Sequence, residues 1–230
     1  MRSGVRAVVA AACFCALGAG ASACGGAASN GEEAKSATQV LTDAKAAMGR
    51  ASSFHVSGHF TQQGSAIAID LNLSPQRGGG TVTVSGATLD EVVAGGTIYL
   101  KADEKSWQKL TNSASEAQLL AGHWIKAPTS NPDFTDLASV ADEKQLLGGI
   151  TPEGSLTRRP GTTDWNGQST VVLADSTGST IYVAATGAPY IVYARNTSKS
   201  QGGQGSVTID QYGSAPVPAV PTGAISLPGS

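Results

Sequence analysis

The chain has 230 residues and a formal net charge of −2, and only 14% of its residues are charged. This charge balance argues against a nucleic-acid-binding surface, and no basic stripe is visible in the sequence. The low charged fraction and the 29 glycines, together with the many Thr and Ser residues, favour β structure with turns over a helical bundle.

The N-terminus has the layout of a secretory signal peptide. Arg2 and Arg6 precede a short apolar stretch, and small residues then lead up to Cys24. A cysteine directly after such a cleavage region resembles a bacterial lipobox, in which a diacylglyceryl group is added to the thiol. We therefore assign residues 1–23 to a lipoprotein signal peptide and Cys24 to the lipid anchor. Cleavage by an ordinary signal peptidase, with Cys24 incidental, is the alternative.

The mature protein is expected to be tethered to a membrane rather than to span it. The apolar stretch is too short for a convincing transmembrane helix. Two or more acyl chains on Cys24, at about 0.8 kcal/mol per buried methylene, make a stable anchor. The location predicted from this is the extracytoplasmic face of the cell membrane. Residues 24–35 are predicted to form a flexible tether, and residues 36–230 one folded domain without disulfides.

The domain begins with a predicted helix and continues as short strands. Apolar residues recur at helical spacing over 37–48, and Gly49 is a plausible stop. The period then changes to two, with strands predicted at 54–61, 67–73, 81–85, 89–93 and 97–101. Residues 75–80 are predicted to be a turn. Successive short strands joined by glycine turns indicate an antiparallel meander.

The middle of the chain differs from both ends. Helices are predicted at 113–120 and 134–147, with an extended segment at 123–128 between them. Strands are predicted to return at 155–158, 169–174, 180–184, 190–194 and 206–211, followed by a proline-rich extended tail. This order predicts an α+β domain, in which one large curved antiparallel sheet carries helices on one face.

Residues with catalytic or metal-binding chemistry are few. His55 and His59 share a strand face, but about 13 Å of strand separates them, which is too far for one ion. His123 has no nearby carboxylate or cysteine partner in the sequence. We predict solvent-facing histidines, no metal site and no cofactor. Without a nucleophile motif such as G-x-S-x-G, we identify no catalytic residue and predict that the protein is not an enzyme.

Several segments look like a known family. Residues 48–56, 60–74, 98–101, 161–170 and 207–213, together with the lipobox-like cysteine, resemble the LppX/LprAFG-type lipoproteins of actinobacteria. The resemblance covers nearly all of the mature chain. It implies a fold similar to the carriers LolA and LolB, an incomplete and strongly curved β-barrel with helices covering its concave face. It also implies that acyl chains of a lipid or glycolipid are held in the hollow for transport in the cell envelope.

The residues themselves indicate an apolar sheet face with few helices to cover it. A cavity between sheet and helices is one consequence, and a normally packed interior is the other. For the cavity, the candidate ligand-binding wall consists of alternating strand residues: Ile67, Ile69, Leu71, Leu73, Val82, Val84, Ile98, Leu100, Ile181 and Val183. The predicted function is a membrane-anchored, lipid-binding lipoprotein. The alternative is a non-enzymatic cell-surface module with a filled core that binds another protein.

Overall fold

The structure, a computed structural model, describes residues 28–62, 64–152, 154–197 and 204–227. Five α-helices lie within these ranges: α1 (Ala37–Met48), α2 (Glu104–Thr111), α3 (Ala114–Leu120), α4 (Thr135–Val140) and α5 (Glu143–Ile150). The strands are β1 (Phe54–Gln62), β2 (Ser65–Ser74), β3 (Arg77–Val84), β4 (Ala87–Ala94), β5 (Thr97–Ala102), β6 (Ile125–Pro128), β7 (Leu156–Arg158), β8 (Thr163–Trp165), β9 (Gln168–Asp175), β10 (Ser179–Ala184), β11 (Ile191–Asn196), β12 (Gly205–Asp210) and β13 (Ile225–Ser226).

All described strands belong to one open sheet of 13 strands, in the order β13-β6-β5-β4-β3-β2-β1-β12-β11-β10-β9-β7, with β8 also paired to β9. Two meanders, β1–β6 and β7–β12, are joined where β1 pairs with β12. The pairs are antiparallel except that β13 runs parallel to β6. The predicted α+β class, with an open and mostly antiparallel sheet, is therefore confirmed.

Helix α1 covers the centre of one sheet face, which we call the inner face. Ser36 and Gln39 form a reciprocal capping box at its start, as the side chain of each accepts a hydrogen bond from the backbone N–H of the other. The buried side of α1, including Val40 and Ala44, packs with Phe54 and Leu71 in a large apolar cluster of β1–β3, β9–β12 and α1, the major cluster. The predicted amphipathic helix is confirmed.

A second apolar cluster, the minor cluster, lies on the inner face of β4–β6. It contains Leu89, Ile98, Leu100, Trp107 and Ile125, together with alanines of β5, β6, α3 and α4. Helix α2 supplies Trp107, and its start is capped by the Asp103 carboxylate, which accepts from the Ser106 N–H at 2.7 Å. The sequence analysis did not predict α2. Most residues of α2 are charged or polar, and Trp107 is its one large side chain that is buried.

Strand β3 begins earlier than predicted, because its three consecutive glycines belong to the sheet. A Cβ on Gly78 would lie 2.2 Å from the carbonyl oxygen of Ala141, and one on Gly79 would lie 2.9 Å from Cγ of Pro218. The backbone at Ala141 therefore packs against β3 on the inner face, and the C-terminal tail at Pro218 packs against it on the outer face. The turn predicted at 75–80 is confined to residues 75 and 76, and the prediction was wrong for 77–80 because the glycines serve close approach rather than chain reversal.

Two other elements also differ from prediction. The single helix predicted at 134–147 is two helices, α4 and α5, because Asp142 ends the first and caps the second by accepting from the Gln145 N–H at 2.9 Å. Residues 163–165 form the short strand β8 beside β9, an element not predicted from the sequence. The tail is extended as predicted, and its Ile225–Ser226 adds the strand β13 beside β6.

The segment before α1 lies on the domain. Ser29 forms an isolated bridge with Thr186, and the Asn30 N–H donates to the Ala185 carbonyl at 2.9 Å. The sequence analysis assigns residues 24–35 to a tether, and from Ser29 onward this stretch contacts the turn after β10. Across the described ranges, the helices are all too short or too polar to span a bilayer. The predicted signal peptide, residues 1–23, and Cys24 lie outside the described residues.

Candidate functional site

A cleft of about 310 Å³ opens between the sheet and helices α4 and α5. Its rim is polar, with Arg77 on β3, Thr129 after β6, and Asp142 and Lys144 at the start of α5. Its apolar lining residues include Val93, Ala94, Ala138 and Ala141, which we call its floor, and polar residues and glycines make up most of the rest. A polar rim over an apolar floor suits an amphiphilic molecule.

The cleft floor lies at the boundary between the two apolar clusters. Ala141 belongs to the major cluster and Ala138 to the minor cluster, while Val93 contacts both. Leu137 on α4 also packs against both clusters. The six-residue helix α4 therefore covers the boundary, and the cleft is where that cover meets the sheet.

The structure places all ten predicted wall residues on the inner face, in two groups. The major cluster holds Ile69, Leu71, Leu73, Val82, Ile181 and Val183, with Ile67 and Val84 partly buried against it. The minor cluster holds Ile98 and Leu100. None of the ten lines the cleft. They pack against other protein side chains here, so their contact with a ligand stays a prediction.

Glu91 is an acidic residue on the apolar inner face that the sequence analysis missed. It is paired in register with Gly80 of β3 and Leu100 of β5 and shares the face of Leu89 and Val93. Its side chain is 1% exposed, and within the described part of the chain neither carboxyl oxygen has a hydrogen-bond partner. Burial raises its pKa to about 8, because the charged form is poorly solvated there. In the sequence, Glu91 alternates with the apolar Leu89 and Val93, and this spacing was the available signal that it faces inward.

Two further buried polar groups lie near this region. The indole N–H of Trp107, in the minor cluster, has no acceptor among the described residues. Glu143 lines the cleft and is 9% exposed, and one of its carboxyl oxygens has no hydrogen-bond partner among the described residues. Burial and then the neighbouring charge of Asp142 raise the pKa of Glu143. The minor cluster and the cleft thus contain hydrogen-bonding groups that the protein itself leaves unused.

The outer face of the sheet carries His55 and His59, both on β1. His55 lies between two carboxylates, with its Nδ1 at 2.7 Å from Asp210 and its Nε2 at 3.2 Å from Asp70. Burial alone would lower its pKa, but the hydrogen bonds to Asp210 and Asp70 outweigh it and the pKa is raised. His55 is thus partly buried and paired, which corrects the predicted solvent-facing position, whereas His59 and His123 are exposed.

A group of aromatic rings also lies on the outer face. Trp165 stacks on Tyr193 with ring centroids 4.0 Å apart and lies 5.0 Å from Tyr182. All three rings are partly exposed. We call Trp165, Tyr182 and Tyr193 the aromatic patch.

Metal-binding side chains do not cluster in the described ranges. No group of three or more His, Cys, Asp or Glu residues there could hold an ion. Since Cys24 is not among the described residues, its acylation stays a prediction.

Comparison with known proteins identifies the fold. No family model and no curated protein matches the chain. The crystal structure of LprF from Mycobacterium bovis superimposes with a TM-score of 0.56 at 16% identity, covering 86% of this chain and all of that one (100%). The crystal structure of the Mycobacterium tuberculosis lipoprotein LppX gives a TM-score of 0.52 at 18% identity, covering 80% of this chain and 99% of that one.

A LolA-superfamily protein from Nitrosomonas europaea covers 80% of this chain with a TM-score of 0.30 at 11% identity, too distant to support an argument. The likeness to LprF and LppX covers nearly the full length of both proteins. The resemblance seen in the sequence is thereby confirmed for the fold. The chain has the fold of the LprF and LppX lipoproteins.

Proposed function

We propose that this protein is a lipid-anchored, extracytoplasmic carrier that takes the acyl chain of a lipid or glycolipid between the inner face of its sheet and helices α4 and α5. The single observation that supports this is the cleft, whose apolar floor lies where the two clusters meet under a short helix. Binding would be non-covalent burial of methylenes, each worth about 0.8 kcal/mol. The protein would act without catalysis.

Entry of a chain would require movement of the helical cover. The cleft volume of about 310 Å³ is at the small end of ligand pockets, which span roughly 300–1,000 Å³. In the proposed mechanism α4 and α5 separate from β3 and β4, and the chain takes the place of Ala138 and Ala141 against Val93. The ten wall residues would then face the ligand from the sheet side. The headgroup would stay at the polar rim, near Arg77 and Lys144.

The experiment is titration of the delipidated mature protein with a fluorescent fatty-acid probe. We expect saturable binding with a stoichiometry near one, and we expect unlabelled palmitate to displace the probe. Val93→Gln places an amide on the cleft floor and should weaken binding by about tenfold or more, since an unpaired polar group would then face the acyl chain. Asp90→Asn, on the outer face of the same strand, is the matched control and should bind like the wild type. Absence of saturable binding would refute the carrier function.

Anchoring is a separate part of the proposal and has its own test. Replacing Cys24 by Ala should move the protein from the membrane fraction to the soluble fraction, because the acylated thiol is lost. Unchanged membrane fractionation would refute the lipid anchor at Cys24. The assignment of residues 1–23 to a signal peptide is tested by the N-terminus of the mature protein, which should begin at Cys24.

A second candidate function, a protein-interaction module with a filled core, is favoured by one observation. The ten predicted wall residues are packed against protein in the two clusters. In that case the loops and the outer face, including the aromatic patch, would contact a partner. The probe titration separates the two functions, because a filled-core module would not bind the fatty acid saturably.

A further inference from the structure

We propose that Glu91 and Trp107 form an internal polar subsite that binds the ester or amide carbonyl of an acylated ligand. This inference rests on the proposed function and adds a ligand class to it. A carrier that used hydrocarbon burial alone would need no polar group on its inner face. This one places a carboxyl group and an indole N–H in or beside the minor cluster.

The subsite is adjacent to the cleft. Across the strands, one row of the inner face runs through Leu73, Gly78, Val93 and Ile98, and this row contains Val93 of the cleft floor. The next row runs through Leu71, Gly80, Glu91 and Leu100. Two residues along a strand correspond to about 7 Å. A chain that enters over Val93 therefore reaches Glu91 after a few methylenes.

The register partner of Glu91 on β3 is Gly80, so the neighbouring position in the row carries no side chain. The backbone of β2 lies close to Gly80, so a ligand group reaches Glu91 when the helical cover moves away from the sheet. The row is otherwise apolar, with Leu71 at 0% and Leu100 at 1% exposure. A ligand group seated there would be shielded from water, where a hydrogen bond is strongest and an unmade one most costly.

The lack of partners argues for a ligand-binding role. Buried carboxyl oxygens are almost always hydrogen-bonded, and a buried group left unpaired lowers stability. Glu91 has neither a hydrogen-bond partner nor an ion pair among the described residues. Trp107 Nε1 is likewise without an acceptor there. Two such groups on one side of the sheet are explained if a bound molecule supplies what they lack.

The chemistry of the two groups selects the ligand class. Because burial raises the pKa of Glu91 to about 8, its carboxyl is mainly protonated at neutral pH and presents an O–H donor. The indole N–H is a donor only. These two donors require an acceptor, and a carbonyl oxygen has two lone pairs and no proton of its own. The second oxygen of the protonated carboxyl is an acceptor, which the N–H of an amide ligand can fill. A cationic group would have to bring a charge into an apolar layer, which is far less favourable.

The experiment compares two probes that differ only in the carbonyl. The delipidated mature protein is titrated with dioctanoylglycerol, which has two ester carbonyls, and with dioctylglycerol, its diether analogue, each displacing a fluorescent fatty acid. We expect the wild type to bind the diester about tenfold more tightly, since the diether leaves the buried donors unpaired. Glu91→Leu should remove most of this preference while still binding both probes. Glu91→Gln should retain most of it through its N–H donor, and Trp107→Phe should reduce it in part.

A spectroscopic readout separates a direct contact from a structural effect. With a ¹³C-labelled ester carbonyl, infrared spectra of the bound diester should show a lower carbonyl stretching frequency in the wild type than in Glu91→Leu. Asp90→Asn is the control and should match the wild type in preference and in frequency. An equal affinity of the wild type for both probes, or an unchanged preference in Glu91→Leu, would overturn the subsite while leaving the carrier function intact. Failure of both probes and of the fatty acid to bind would refute both proposals.

Discussion

The two apolar clusters of the inner face are built from similar side chains but differ in what accompanies them. The major cluster is closed mainly by α1, which places Val40 and Ala44 at 0% exposure directly on the sheet, while Ala141 and Leu146 extend it under α4 and α5. The minor cluster is closed by the shorter helices α2, α3 and α4, and has Glu91 beside it and the Trp107 N–H within it. The first region resembles an ordinary protein core, whereas the second retains unused hydrogen-bonding capacity next to a cleft.

This difference shows how one sheet can combine stability with binding. A densely packed region with no unpaired groups stabilises the fold. A region that keeps unpaired groups and a short helical cover is less stable by itself, and such regions are where proteins open locally. The pairing of β3 with β4 connects the two clusters, so the minor cluster and the α4–α5 cover can open while α1 and the central strands hold the sheet together.

The largest expected effect comes from truncating equivalent leucines in the two clusters. Leu71 and Leu100 lie in the same row of the inner face and are equally buried. We expect Leu71→Ala to lower the free energy of unfolding by about 4 kcal/mol, and Leu100→Ala by only about 2 kcal/mol. The cavity left by Leu100→Ala borders the unpaired Glu91 carboxyl and can therefore take up water. Denaturant unfolding measures both, and equal losses would contradict the distinction between the clusters.

The next effect concerns the contact between the helical cover and the sheet. Gly78→Ala would place a Cβ 2.2 Å from the Ala141 carbonyl oxygen, so the α4–α5 junction must shift. We expect a loss of about 2–3 kcal/mol, together with faster hydrogen exchange in α4 and α5 than in α1. Gly148→Ala in α5 is the control, since nothing lies within 4 Å of its added Cβ and helix propensity predicts a gain of about 0.5–1 kcal/mol. If Gly78→Ala accelerates hydrogen exchange in α1 as much as in α4 and α5, the idea that the cover opens separately is contradicted.

A smaller effect is expected for the buried acid. The pKa of Glu91 is raised from 4.5 to about 8 in the folded state, so between these values the unfolded chain ionises while the folded one stays protonated. Stability should therefore fall as pH rises across this window, by on the order of 1 kcal/mol per pH unit. Glu91→Gln should remove this slope and raise stability by about 2 kcal/mol near pH 7. Asp90→Asn should leave the slope unchanged, and a persisting slope in Glu91→Gln would be inconsistent with a buried unpaired carboxyl.

The smallest effect is expected on the outer face, away from both clusters. His55 has a raised pKa, so its contribution to stability is fully present below the ordinary histidine value of about 6.5 and is lost as pH rises through the raised pKa. We expect His55→Gln to lose less than about 1 kcal/mol at pH 6, and to be indistinguishable from the wild type at pH 9. His59→Gln, exposed on the same strand, is the matched control. A larger loss at pH 9 than at pH 6 would contradict the pairing with Asp70 and Asp210.

The sequence was most informative where one face of an element alternates regularly. The helix at 37–48 and the strands of the first meander follow from such periodicity, because burial on one face requires it. It was least informative where long-range packing overrides local preference. The glycines at 78–80 are usual turn residues, and only the backbone of Ala141 and the ring of Pro218 on opposite faces explain their place in a strand. Helix α2 was missed because one inward tryptophan gives no period.

The candidate site could be predicted only in part for the same reason. The inward direction of the ten wall residues follows from alternation, and their burial in two clusters agrees with it. Which of them border a cleft depends on how α4 and α5 meet β3 and β4, which no local pattern specifies. Glu91 was overlooked because Asp90 beside it suggests an exposed acidic pair, although only Asp90 faces solvent. The pairing of His55 with Asp70 and Asp210 requires the strand order β2-β1-β12.

The central claim, that the helical cover opens to admit an acyl chain, is tested most directly by photocrosslinking. The mature protein is irradiated with a diazirine-labelled palmitate, and the modified residues are identified by mass spectrometry. We expect adducts on the inner face at the cluster boundary, at Val93 and Leu137, that excess unlabelled palmitate suppresses. Adducts confined to the outer face, such as the aromatic patch, or the absence of any adduct that palmitate suppresses, would contradict it.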